Sequence, residues 1–277
     1  MTPDTPTAAT RPTLVTGGTG KTGRRVAERL SLRGLRPRTG SRTGTPPFDW
    51  NAPATWDAAL DGMGSVYLSY YPDLAFPGAA DTVGAFCRTA VAAGVRRIVL
   101  LSGIGEEGAR AAEDQLKASG AEWTVVRSNW FDQNFSECFF LPPVLAGELA
   151  VPAADTVAPF VDADDVADVA VAALTDPAHT GRTYELSGPR LLSFADIADE
   201  LSKATGRTIT YRPVTVEEYR TVLKDAGQDQ TYADVFAVFL DGRNAHLVDG
   251  VQQVLGRAPR DFTDFARETA ATGVWTP

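Results

Sequence analysis

The stretch LVTGGTGKTG, residues 14–23, holds residues suited to binding phosphate in two overlapping spellings. Gly20-Lys21-Thr22 matches the end of the loop that cradles nucleoside triphosphates, but that loop needs a glycine five residues before Gly20, where the chain has Val15. Gly17, Gly20 and Gly23 instead have the spacing of a dinucleotide turn. The first allows a tight turn, the second lets backbone approach a pyrophosphate, and the third lets a helix pack closely on a strand. Thr19, Lys21 and Thr22 lie in the same turn and are expected to line it. An apolar run precedes the turn and an amphipathic pattern follows, so the pyrophosphate would rest on a helix N-terminus, where unbonded N–H groups and the dipole favour an anion.

The next strand decides which dinucleotide. A site selective for NAD ends that strand in Asp or Glu, to hold the ribose 2′-hydroxyl. Here LRPRTGSRTG passes through Gly40-Ser41-Arg42 with no acid. A guanidinium fork matches phosphate geometry, so Arg42, helped by Ser41 and Lys21, is expected to pair with a 2′-phosphate, and NADPH/NADP is the expected cofactor.

The elements that must position these residues follow from the hydrophobic pattern. Strands are expected at 13–16, 35–39, 65–71, 96–102 and 122–127, with helices at 21–33, 78–93, 108–119 and 164–175 between and after them. Apolar strands spaced by helices imply a parallel sheet covered on both faces, a doubly wound α/β (Rossmann) architecture. Beyond about residue 185 the rhythm changes. Ser193 with Asp196, and Thr215 with Glu218, have capping-box spacing, and TITYRP reads as a strand between the two helices they start. Residues 228–277 read as helical, with Phe236, Phe239, Phe262, Phe265 and Trp275. The expected organisation is a disordered tail at 1–11, an NADP-binding domain at 12–185 and a smaller, mostly helical substrate lobe at 186–277.

Composition narrows the partners. A net charge of −9 argues against a nucleic-acid surface, although arginines gather at 24–42. Cys87 and Cys138 are too few for a disulfide framework or a metal site, and His179 and His246 are isolated, so no metal is expected. No segment approaches the roughly 20 apolar residues of a membrane span. A polar N-terminus without an apolar core reads as cytoplasmic, not as a signal peptide. A small-molecule substrate and a monomer or homodimer are expected.

The motifs TLVTGGTGKTG, FDW at 48–50, VRRIVLLSGIG, LKASGAEWTVVRSNWFDQNF and FVDADDVADVAVAAL occur in this order over residues 12–215. Together they resemble the NmrA-like atypical short-chain dehydrogenase/reductases. GGTGKTG, GSR, FDW and NWFDQNFSE are most similar to the NADPH-dependent iminium reductases of ergot alkaloid pathways. Quinone reductases and non-catalytic dinucleotide sensors share that fold. The resemblance implies adenine-side contacts near Asp49 and Trp50. It also implies nicotinamide-side contacts from the loop after VYLSYY, beginning at Ser69, and from Ser102-Gly103.

The wider superfamily places Tyr-x-x-x-Lys after the strand ending in Ser, the phenol protonating a developing alkoxide. Anchored on Glu113, that motif would fall on Gly105 and Ala109, and both residues are wrong. The register Glu113…Lys117 supplies a lysine but a carboxylate in place of the phenol, and Lys117 reads as a surface residue. The remaining candidates for catalysis are Tyr70, Tyr71 and Ser102. An acceptor that carries its own activation suits such a site: an iminium, a quinone or a conjugated C=C/C=O of specialised metabolism. Asn129, Trp130, Phe131, Asp132, Asn134 and Phe135, with Phe236 and Phe239, are expected to contact it. Two alternatives stay open: a cofactor-sensing regulator that transfers nothing, and a redox-neutral cyclase or isomerase.

Overall fold

The computed structural model describes residues 11–230 and 232–277. Elements alternate from the start: β1 Thr13–Thr16, α1 Lys21–Leu32, β2 Pro37–Gly40, α2 Trp56–Leu60, β3 Ser65–Leu68, α3 Ala79–Ala92, β4 Arg97–Gly103, α4 Glu107–Lys117 and β5 Glu122–Ser128. There follow α5 Asn134–Glu137, α6 Leu141–Ala146, β6 Glu148–Val151, β7 Val157–Ala158, α7 Ala163–Thr175 and β8 Arg182–Leu186. The rest comprises β9 Leu192–Ser193, α8 Phe194–Thr205, β10 Thr210–Pro213, α9 Val216–Asp225, α10 Tyr232–Phe239, α11 Gly250–Leu255 and α12 Phe262–Ala271. The tail expected at 1–11 falls, apart from Arg11, outside the described residues.

Six strands form one sheet in the order β2-β1-β3-β4-β5-β8. The pairs from β2 through β5 are parallel, as runs with no polar alternation require when both faces are covered. The order reverses between β1 and β3. That is where a doubly wound sheet opens a crevice at its carboxyl edge. One apolar layer on this sheet contains Trp56, Leu60, Val66, Leu68, Phe86, Ile98, Leu100 and Leu116. Packing of α1 on α7 is locked by ions: Arg29 binds Asp164 at 2.6 Å and Asp168 at 2.5 Å, and Arg25 lies 3.3 Å from Asp164. Two arginines of the N-terminal cluster are thereby held within the fold. Arg38 is held too, donating to the Ala58, Ala59 and Asp61 carbonyls.

The chain divides into two compact units, and it crosses between them more than once. Residues 11–128, Ala163–Glu185 and Gly250–Gly256 form the sheet unit, while Asn129–Asp162, Leu186–Asp249 and Arg257–Pro277 form the second. A linear partition at 185 describes the sequence rhythm. The structural division is discontinuous because α7, β8 and α11 return to the sheet unit after the chain has left it. The second unit packs around rings: Phe135, Phe140, Phe160, Phe194, Phe236, Phe262, Phe265 and Trp275 are all buried. Both capping boxes form, Ser193 with Asp196 starting α8 and Thr215 with Glu218 starting α9. The strands β6, β7, β8 and β9, two to five residues each, have too little pattern to be read from sequence.

Candidate functional site

The glycine turn joins β1 to α1. Gly17 has φ +61°, a conformation that only glycine adopts at no steric cost, and its carbonyl accepts from Gly20 N at 2.9 Å. A Cβ on Gly23 would fall 2.2 Å from that same carbonyl oxygen, so the helix can approach the turn only without one. Around Gly20 a Cβ would meet nothing closer than Gly17 O at 3.2 Å, which leaves that side of the turn open. Gly17 and Gly23 are thus required by backbone conformation and by close approach, and Gly20 faces open space. Gly18, not singled out by sequence, is equally constrained: its Cβ would lie 2.6 Å from the Thr39 methyl. The N-cap of α1 is Gly20, with no capping side chain and no acid in the first turn. A 12-residue helix therefore presents uncapped amides and the positive end of its dipole to the crevice.

Thr16 holds the neighbouring strand end in place. Its hydroxyl accepts from Ser69 N at 2.8 Å and lies 3.1 Å from Ser69 O. Ser69 in turn lies against Gly17. On the other side Gly40 ends β2 in register with Thr16, and the chain turns at Ser41, whose carbonyl accepts from Gly44 N and Phe48 N. Arg42 follows in this turn and is exposed. Among the residues read as the cofactor site, Asp49 accepts from Asn51 N at 2.9 Å. Trp50 is only 8 % exposed, its ring centroid about equally close to Phe48, Tyr70 and Phe86 at 4.9–5.0 Å. Trp50 is therefore chiefly a packing residue of this edge. Thr22 is buried in the first turn of α1, and Thr19 is exposed on the loop.

At the end of β4 one candidate requires correction. The Ser102 hydroxyl is buried and donates to Glu113 Oε1 at 2.8 Å. Glu113 itself is fully buried and takes the Arg127 guanidinium in a fork, Nε to Oε1 at 2.8 Å and Nη2 to Oε2 at 2.7 Å, while Arg127 also reaches Glu185 at 2.8 Å. Burial would raise the Glu113 carboxyl, but the Arg127 fork and the Ser102 hydroxyl outweigh it and hold the group below its ordinary value. Ser102 is thus a strut of a buried ionic network, with its proton already committed. Lys117 lies 3.5 Å from Glu113 and 3.1 Å from Asp114.

Tyr70 is half-buried, 5.0 Å from Trp50 ring to ring, and Tyr71 is 69 % exposed. Neither is buried beside Ser102. A pair not anticipated from sequence lies at this edge instead. The Glu106 carboxyl folds back onto Gly103: a Cβ there would sit 2.0 Å from Oε1. Burial, and then the Asp73 carboxylate, push Glu106 up to about 8. Asp73 is itself raised, by burial, against the opposing bond from Ala75 N. The signal in the sequence is two glutamates in GIGEEG immediately after a strand end.

In the second unit the segment after β5 is mostly core. Asp132, Asn134 and Phe135 are buried, Phe135 stacks on Phe140 at 4.9 Å, and its carbonyl accepts from Trp275 Nε1. Phe236 is buried against Trp130, ring centroids 4.8 Å apart. The expected acceptor contacts at Phe135 and Phe236 are thus corrected to core positions, because their rings are enclosed by other rings. Trp130 and Phe131 remain half-buried. Asn129 is buried with its Nδ2 lacking a hydrogen-bond partner. Phe239 ends α10, and its side chain lies outside the described residues.

The model of the NmrA-like family matches residues 110–265, more than half of the chain. The chain belongs to the NmrA-like family. Relatives at full length include the (4-alkanoyl-5-oxo-2,5-dihydrofuran-3-yl)methyl phosphate reductase of Streptomyces griseus, 33 % identical over 93 % of this chain and 97 % of the relative. The agroclavine dehydrogenase of Claviceps fusiformis is 31 % identical, covering 95 % and 98 %. Among solved structures, the Citrobacter triphenylmethane reductase complexed with NADP(H) superposes with a TM-score of 0.73 at 19 % identity, over 94 % of this chain and 99 % of that one. That likeness establishes a shared fold.

Proposed function

We propose that this member of the NmrA-like family is an NADP(H)-dependent oxidoreductase that reduces an activated C=N or conjugated C=C/C=O group of a small molecule, in specialised metabolism. The observation that carries the reading is the crevice at β1–β3, where an uncapped helix N-terminus faces a glycine turn and an exposed Arg42 stands beyond a β2 end that has no acid. The residues present suit the cofactor. Amides of the first turn of α1 would take its pyrophosphate, Ser41 and Arg42 its 2′-phosphate, and the segment from Ser69 its nicotinamide half. When bound, the cofactor supplies the hydride. The chain supplies orientation: Thr16 clamps Ser69 beside Gly17, and the Glu113–Arg127 pair holds the end of β4 in place.

The relatives support a small-molecule oxidoreductase, one being named an agroclavine dehydrogenase and the other a (4-alkanoyl-5-oxo-2,5-dihydrofuran-3-yl)methyl phosphate reductase. A second reading, a cofactor sensor, draws on the commitment of Ser102 to Glu113 and on the missing Tyr-x-x-x-Lys. Calorimetry with NADP, NADPH, NAD and NADH, followed by NADPH oxidation against iminium, enone, quinone and ketone panels, separates the two. A reductase consumes NADPH with at least one activated acceptor. Tight binding of both cofactor forms with no turnover on any acceptor would favour the sensor.

A further inference from the structure

Reduction of a conjugated carbonyl or a quinone adds hydride and leaves an electron pair that a proton must meet. Reduction of an iminium needs no such proton, because hydride itself neutralises the cation. Of the expected donors at this sheet edge, the Ser102 hydroxyl is bonded to Glu113, the Tyr70 ring packs against Trp50, and Tyr71 is largely exposed. Glu106 is placed differently. It precedes α4, caps no amide with its side chain, and lies directly over Gly103 at the carboxyl end of β4.

The strand order places this carboxyl on the correct side of the crevice. From β1, which carries the glycine turn, Arg42 lies one strand away beyond β2, and Gly103 lies two strands away in the opposite direction. At about 4.8 Å per strand the end of β4 is roughly 10 Å from the turn. A dinucleotide whose 2′-phosphate meets Arg42 therefore has its other half over β3 and β4.

The surroundings of Glu106 favour its neutral form. The segment after β3 is seated on the first turn of α4, where a Cβ on Gly108 would fall 2.8 Å from Ala75 Cα and 3.1 Å from Leu74 O. That segment brings Asp73, the charged group that acts on Glu106. From β4 Gly103 lies against the carboxyl, and on its own helix the neighbours Glu107 and Arg110 are exposed. A carboxyl partly out of water and under the charge of a second carboxylate tends to retain its proton.

We propose that the Glu106 carboxyl group is the proton donor of the reduction, and that the acceptor is a conjugated carbonyl or quinone, not an iminium. The assignment rests on the reductase reading above. In each turnover a conjugated carbonyl gains a C–H bond from hydride and its π pair moves onto oxygen or the adjacent carbon, whereas a quinone takes the hydride and becomes the hydroquinone monoanion. The O–H bond of Glu106 breaks toward the atom that holds the new electron pair, and the carboxylate recovers a proton from solvent. The net change is an acceptor that has gained two electrons and two hydrogens, one oxidised cofactor and one proton taken from solvent.

The test compares wild type with Glu106→Gln, Asp73→Asn and Gly103→Ala, each checked for an unchanged melting transition. A carbon-13 NMR titration of the cofactor-free protein is expected to show a glutamate titrating near pH 8 that disappears in Glu106→Gln and moves down in Asp73→Asn. NADPH affinity by calorimetry should stay within twofold in Glu106→Gln, while turnover of enone and quinone falls about 10²-fold or more and that of an iminium does not. Gly103→Ala, which displaces the carboxyl, should reproduce the loss. In Asp73→Asn the alkaline limb of kcat, where a donor loses its proton, should move to lower pH. Enone turnover by Glu106→Gln within threefold of wild type, or no glutamate titrating above neutrality, overturns the assignment. Absence of NADPH consumption by wild type with every acceptor overturns the reductase reading, and the donor assignment falls with it.

Discussion

Replacing Arg42 with Ala tests the cofactor reading at one side chain. Arg42 is exposed, so its removal should cost the free protein little and leave the melting temperature nearly unchanged. Its proposed partner is the 2′-phosphate, taken through a fork of charge-assisted hydrogen bonds. Such bonds contribute about 1.5–3 kcal/mol net, and the exposed position argues for the lower half of that range once salt screens the pair. At roughly 1.4 kcal/mol per decade the NADPH Kd should rise about 10- to 30-fold, with the NADH Kd changed by less than about threefold. The assay is calorimetric titration of both cofactors at two salt concentrations, and the gap between wild type and variant should narrow at the higher one. Arg42→Lys keeps charge and loses the fork, so it should fall between the two. Equal losses for NADPH and NADH would refute the reasoning, as would no loss for either.

Three further outcomes follow from the geometry. Gly23→Ala puts a methyl 2.2 Å from Gly17 O, and should cost about 1–3 kcal/mol in urea unfolding and at least tenfold in NADPH affinity by calorimetry. Ser102→Ala removes a bond to a buried carboxylate, so stability should fall by about 1.5–3 kcal/mol while kcat stays within about threefold; a 10²-fold loss would restore Ser102 as the donor. Because the Glu113 value is lowered in the fold, its contribution to stability is complete above its unfolded value of 4.5 and is lost as pH falls toward the folded one. The urea midpoint should therefore drop below pH 4.5, and that part of the drop should be absent in Glu113→Gln.

Much of this site is legible in the order of residues because the relevant physics is local. A glycine that must take φ +61°, and another whose Cβ would strike the preceding turn, are separated by six residues of one continuous loop and helix. The capping boxes at Ser193 and Thr215 close within four residues. The missing acid after β2 is likewise a statement about one short stretch. The aromatic segment was harder to read. Phe135 and Trp130 have the same chemistry whether they wall a pocket or fill a core, and only their neighbours from α6, α8, α10 and α12 assign Phe135 to the core.

The sequence alone thus determined the parallel α/β order, the glycine turn and an arginine, with no acid, just after β2, since apolar period, glycine spacing and side-chain charge act over a few residues. Tertiary structure decided what becomes of each proton at the sheet edge. Ser102 meets Glu113 only when α4 packs back on β4, Arg127 joins them from the next strand, and Glu106 comes under the charge of Asp73 only once α3 and β4, which lie between them in the chain, have folded. Desolvation and Coulomb interactions depend on distance in space, so no reading along the chain could supply them.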